Sequence, residues 1–171
     1  MAKMDELLAA LTPALQERSR SINGNHAADG SFVLYWMRTA VRADENPALE
    51  TAIDLANRLN VPAFVYHAVS ERYPYASDRH HTFIIEGARD VDRAMQERGV
   101  GYAFHLERPG QSEAYLLDLA KHAAIVVTED MPVRPLWDWT ELLARRVNTP
   151  VIAVDTACVV PMQLVGRAHD R

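Results

Sequence analysis

At 171 residues, 49% of them hydrophobic, the chain has apolar material for one core and little for a second. A net charge of -5 argues against a Lys/Arg-driven grip on a nucleic-acid backbone by this segment alone. The lone cysteine, Cys158, rules out an internal disulfide and fits a reduced, cytoplasmic setting, and no apolar run reaches the roughly 18 residues of a membrane span.

The first thirty residues read as a separate lead-in, 1–30. Between Met4 and Arg18, the leucines at 7, 8, 11 and 15 keep helical spacing, and Pro13 is expected to break or kink the helix. A short helix packed on the outside of the domain is the simplest reading, with a docking helix for a partner as the alternative. Ser19 to Ser31 is rich in Ser, Asn, Asp and Gly and reads as an irregular loop.

Residues 31–165 then alternate β-rich apolar runs with amphipathic stretches. Phe32 to Met37 is a strand suited to cover on both faces. Asn46 caps a helix that opens on Pro47, buries Leu49, Ile53, Leu55, Ala56 and Leu59, and ends near Asn60. Pro62 to Val69 is the second strand, and a loop through Tyr73, Pro74 and Tyr75 leads to Asp78, the expected cap of the longest helix. There Ile84, Ala88, Val91 and Met95 recur at helical spacing before Gly99. Tyr102 to Leu106 is the third strand, followed by a turn at Pro109 and Gly110 and by a helix capped at Ser112 with Tyr115, Leu116 and Leu119 inward. Ala124 to Thr128, a helix over Pro135 to Val147, and Val151 to Asp155 complete the series. The pattern predicts an α/β, three-layer Rossmann-like sandwich with a five-stranded parallel sheet and a short N-terminal helix. Such sheets bind ligands at their carboxyl edge.

Few residues suggest reaction chemistry. The loop after the first strand carries Arg38, Arg42, Asp44 and Glu45, placed for a polar or anionic ring ligand or, equally, a solvated rim. Neither G-x-G-x-x-G nor a P-loop occurs, which disfavours dinucleotide binding and phosphoryl transfer of those kinds. His80 and His81 point to different sides of a helix, while His67, His105 and His122 are scattered, so no metal is expected. No G-x-S-x-G elbow surrounds a serine, and Cys158 reads as structural. Trp36, Trp137 and Trp139 read as core or interface filling, with passage of light energy or electrons as the alternative.

Four stretches together resemble the amino-terminal domain of DNA photolyases, and within the photolyase and cryptochrome family the class II branch. They are Arg18-Ser-Arg20 with Ile22-Asn23; Val33 to Met37 followed by Arg42, Asn46, Ala48 and Leu49; Tyr73-Pro74 with Arg79-His80, Phe83 and Glu86-Gly87; and Val126 to Thr128 with Arg134, Trp139, Pro150-Val151, Val154-Asp155 and Val159 to Pro161. Their order and spacing over Arg18 to about Val165 cover nearly the whole chain.

The resemblance implies an antenna domain that holds a deazaflavin or a folate. The pocket candidates are Trp36, Met37, Arg38 and Arg42 at the first strand's edge, with His67, Glu129 and Asp130 at neighbouring strand ends. It further implies that light-driven repair of cyclobutane pyrimidine dimers belongs to a carboxyl-terminal helical domain carrying FAD and the DNA-binding groove. On that view 166–171 begins a linker to this domain, no catalytic residue lies in the chain, and damaged DNA is met only through the partner domain. The alternative is a free-standing module that binds a chromophore or nucleotide, or docks to a partner, without lyase chemistry.

Overall fold

The computed structural model describes residues 4–70, 77–108, 110 and 115–165. The expected Tyr73-Pro74-Tyr75 loop, the turn residue Pro109, the Ser112 cap and the 166–171 linker lie outside the described residues.

Helices α1 (Met4–Ala9) and α2 (Pro13–Gln16) come first, then β1 (Ser19–Ser21), β2 (Val33–Met37), α3 (Pro47–Leu59) and β3 (Ala63–Ser70). They are followed by α4 (Asp78–Glu97), β4 (Gly101–Glu107), α5 (Tyr115–His122), β5 (Ile125–Glu129), α6 (Leu136–Arg146), β6 (Val151–Val154) and α7 (Met162–Val165). The sheet has six strands in the order β1-β6-β5-β2-β3-β4. This corrects the expectation of five: the five apolar strands are parallel, and β1 adds an antiparallel strand to β6 with Arg20 opposite Ala153. β1 falls within the stretch expected to be irregular. Its sequence, Ser-Arg-Ser, has no apolar alternation to announce a strand; backbone pairing at the sheet's end makes it one.

Local signals fix both ends of α3 and the start of α4. Asn46 is buried, and its Oδ1 accepts from the amides of Ala48 and Leu49 while Pro47 takes the position that has no amide to satisfy. Asn60 closes α3 in a left-handed conformation, φ 53°. Ser77, rather than the expected Asp78, caps α4 by accepting from the His80 amide. The helical stretch is broken ahead of Pro13, as expected, and Pro13 opens a second helix at its first position. Leu7, Leu11 and Leu15 are buried in the domain's own core, so the apolar stripe is spent internally and presents no free docking face.

Alternation along β2 builds both cores. Val33, Tyr35 and Met37 pack with α3, α4 and the N-terminal leucines, while Leu34 and Trp36 pack with α5 and α6. Tyr115, expected inward, is half-exposed, and Ala120 is the fully buried residue of α5.

Two glycines give opposite expectations for one substitution. A methyl group on Gly30 would meet the backbone of Ala123 and Ala124 at 2.0–2.5 Å. At Gly87, within α4, nothing lies within 4 Å. In urea unfolding, Gly30→Ala is expected to destabilise by roughly 3 kcal/mol, at the upper end of overpacking costs. Gly87→Ala is expected to stabilise by about 0.5–1 kcal/mol through helix propensity.

Candidate functional site

Because β2 and β5 are neighbours, with Trp36 paired to Thr128, Arg38 and Glu129 leave the sheet side by side at its carboxyl edge. Glu129 is fully buried. Its Oε1 accepts from the Tyr35 hydroxyl at 2.7 Å and from the Arg38 amide at 3.0 Å, and its Oε2 faces Arg38 Nε at 3.4 Å. The Arg38 guanidinium also donates to the carbonyls of Glu129 and Leu136, at 2.6 and 2.9 Å, and to Thr140 Oγ1 at 3.0 Å. It lies 4.4 Å from the centre of the Trp36 ring, a cation–π contact. Burial pulls the Arg38 pKa down and Glu129 opposes that fall; burial first, and then Glu129, pushes the Tyr35 phenol well up. Asn46 Nδ2 donates to the Tyr35 oxygen and to the carbonyls of Ala40 and Arg42. One polar network thus joins β2, β5 and the starts of α3 and α6.

Above this network, on the α5/α6 side, opens a cleft of about 610 Å³ at the carboxyl ends of β2, β3 and β4. Trp36 and Arg38 line it together with Tyr66, His105, Glu107 and Tyr115. Leu116, Leu117 and Leu136 add apolar wall, and Trp139 stands at the rim, about half-exposed. The Tyr66 hydroxyl and His105 Nδ1 are 2.8 Å apart, and the His105 ring meets Tyr115 edge-on at 4.8 Å. Burial, assisted by Glu107 and Tyr115, pushes the Tyr66 phenol up to about 12, so it stays protonated and can donate. Among the described residues there is no group of three or more His, Cys, Asp or Glu side chains placed to hold a metal ion.

Of the seven residues expected to form the pocket, the structure brings Trp36 and Arg38 to the cleft, and Glu129 supports Arg38 from below. Met37 and His67 are buried on the opposite face of the sheet; His67 contacts Tyr102 Oη at 2.9 Å through Nδ1 and Phe104 edge-on at 5.1 Å. Asp130 takes a bidentate pair from Arg20 at 2.6 and 2.9 Å, and that guanidinium covers Trp137 at 4.6 Å. Arg42 donates to the carbonyls of Glu45 and Thr156, away from the cleft wall. Tyr66, His105, Glu107 and Tyr115 were not anticipated as pocket residues. Parallel register carries the missing signal, since Trp36 sits opposite Tyr66 and Ala68 opposite His105.

The sequence model of the family described as DNA photolyase matches residues 33–170. The chain belongs to the DNA photolyase family. Over 148 residues it is 35% identical to a deoxyribodipyrimidine photo-lyase of Methanothermobacter thermautotrophicus, covering 86% of this chain and 33% of that protein. A deoxyribodipyrimidine photo-lyase of Arabidopsis thaliana is 27% identical over 132 residues, covering 76% of this chain and 26% of its own. This photolyase-family chain therefore spans about a third or less of the curated relatives' length. Among solved structures, a putative universal stress protein from Pseudomonas aeruginosa UCBPP-PA14 superposes with a TM-score of 0.51 at 14% identity, covering 91% of this chain and 60% of that one. That likeness concerns the fold alone.

His67 supplies a pH test. Burial lowers its pKa from the ordinary 6.5 to about 4, so on acidification the unfolded chain binds the proton first. Stability is whole above about pH 6.5 and falls, by at most about 1.4 kcal/mol per pH unit, down to about pH 4. Urea unfolding is expected to show a loss of roughly 1.5 kcal/mol between about pH 6.5 and pH 5 that His67→Gln, measured in parallel, does not show.

Proposed function

We propose that this photolyase-family chain is an antenna layer: it holds a light-absorbing ring, a deazaflavin or a folate, in the cleft over Trp36 and passes its excitation to a reduced FAD. The FAD, the lyase chemistry and the contact with damaged DNA belong, on this reading, to a carboxyl-terminal helical region of a class II-type photolyase. The observation that carries it is the cleft itself, about 610 Å³, walled by aromatic and aliphatic side chains at the sheet's carboxyl edge. That size and lining suit a planar ring system.

Energy transfer asks no bond-making of the protein. The chain's residues need only bind the ring, orient it and exclude water. Trp36 lines the cleft with the small part of its indole that stays exposed, 8%, while Arg38, pinned by Glu129 and Thr140, covers the ring and keeps it from turning. Tyr66 donates toward His105 or toward a ring heteroatom, so it can fix the ring's orientation. The net charge of -5 agrees with DNA being gripped elsewhere.

Two measurements test this. Trp36→Phe, which keeps an aromatic core residue but removes part of the floor, is expected to weaken deazariboflavin binding about fivefold in a fluorescence titration, given about 1 kcal/mol for such a contact. Unchanged affinity sinks the placement of the ring over Trp36. The purified chain supplied with FAD under blue light is expected to leave thymine dimers intact, as read by dimer-specific cleavage; measurable repair sinks the division of labour.

A further inference from the structure

Among the described residues the sheet ends at β4, which pairs with β3 alone. The two ends of the sheet are built differently. β1 is three residues of Ser-Arg-Ser, whereas β4 runs seven, Gly-Tyr-Ala-Phe-His-Leu-Glu. It holds no proline and no lysine, and its one carboxylate, Glu107, stands at the last position. Edge strands that stay solitary are normally short, charged or interrupted, so a long uninterrupted edge offers its row of backbone N–H and C=O groups to another strand.

The strand's side chains are incompletely covered on both faces. Tyr102 and Phe104 line a recess of about 200 Å³ together with Ile85 and Ala88 of α4. On the other face Ala103 and His105 line a groove of about 450 Å³ against Leu119 of α5. Gly101 is exposed and the six residues after it are half-buried, while β2, β5 and β6 are buried throughout. Charge stands beside the first recess in a form that a copy of the same surface would complement. Arg89 and Asp92, one turn apart on α4, both line it. None of the ion pairs among the described residues uses either one, and Asp92 accepts from Gln96 Nε2 of its own helix at 3.1 Å.

We propose that β4 pairs antiparallel with β4 of a second copy of this chain, joining two six-stranded sheets into one across a two-fold axis. Antiparallel partners carry their side chains on the same face, so a strand that pairs with its own copy must do so about one of its residues, and Phe104 is the residue that engages all seven. In that register Phe104 faces Phe104, Tyr102 faces Leu106, Ala103 faces His105 and Glu107 faces Gly101, so aromatic meets aromatic and no like charges meet. Phe104 lines the same recess as Arg89 and Asp92. The axis through it therefore sets α4 antiparallel to its copy and brings Arg89 to Asp92 of the partner subunit, twice over. Strand direction reverses across the joint, so the two carboxyl-edge clefts open at opposite ends. The pairing stands independently of the antenna reading.

The test is sedimentation equilibrium of the whole chain from micromolar to millimolar protein at low ionic strength, with amide hydrogen exchange compared between the two ends of that range. Wild type is expected to form a dimer, and β4 amides are expected to exchange more slowly at the high concentration. Arg89→Asp sets acid against acid at both crossings and is expected to weaken the dimer about tenfold, and adding Asp92→Arg to it is expected to restore the wild-type constant. Arg89 is exposed, so the variants keep the fold, which circular dichroism checks. A chain that stays monomeric throughout overturns the proposal and leaves the edge to a strand of another polypeptide. A dimer whose β4 amides gain no protection overturns it too, as does one that Arg89→Asp leaves unweakened or the double exchange leaves unrestored.

Discussion

A carboxylate placed where water cannot reach it governs the rest of this structure. Glu129 at the end of β5 is tolerable only because Tyr35, the Arg38 amide and the Arg38 guanidinium all turn toward it. Taking away one member of a buried charged pair costs about 3–5 kcal/mol, because the survivor is left uncompensated. The constraint runs outward from there. Arg38 must bend back over its own strand, which lays it on Trp36 and lets it seize the first turn of α6 through the Leu136 carbonyl and Thr140. Tyr35 in turn holds Asn46, the residue that starts α3. Helices α3 and α6, on opposite sides of the sheet, are therefore aligned through β2 by one acid, and the cleft wall follows from their alignment.

The same logic operates beside it, at the carboxyl end of β6, with different parts. Arg18 donates to the carbonyls of Asp155, Cys158 and Val159, and Asp155 accepts from the amides of Ala157, Cys158 and Met162. Those amide bonds outweigh burial and hold the Asp155 pKa below the ordinary carboxylate range. With Arg20 on Asp130, the short polar strand β1 and the Arg18 that precedes it thereby tie down the end of β5 and the segment after β6.

Elements whose own side chains supply the driving force were legible in the sequence. The apolar strands, the Asn46-Pro47 start of α3 and the Ala88-Val91-Met95 face of α4 each carry their signal locally, in hydrophobic period or cap chemistry. β1 was not legible, because a Ser-Arg-Ser strand is made by its partner's backbone rather than by its own pattern. The site was half legible for a related reason. Trp36 and Arg38 lie in one run of residues, whereas Tyr66 and His105 join them only through pairing between separate strands. Glu129 was recognised as an edge residue, but its role as a buried support depends on Tyr35, 94 positions away. Met37 and His67 were misleading because nearness to a strand's end does not say which face a side chain takes.

Tyr35 and Trp36 are consecutive residues with opposed duties, the first clamping an acid on one face and the second flooring a cleft on the other. Because strand side chains alternate, gaining or losing one residue within β2 would exchange the two rings and abolish both arrangements at once. An insertion or deletion inside this strand would therefore displace both rings, whereas a length change in a joining segment would leave the register of β2 intact.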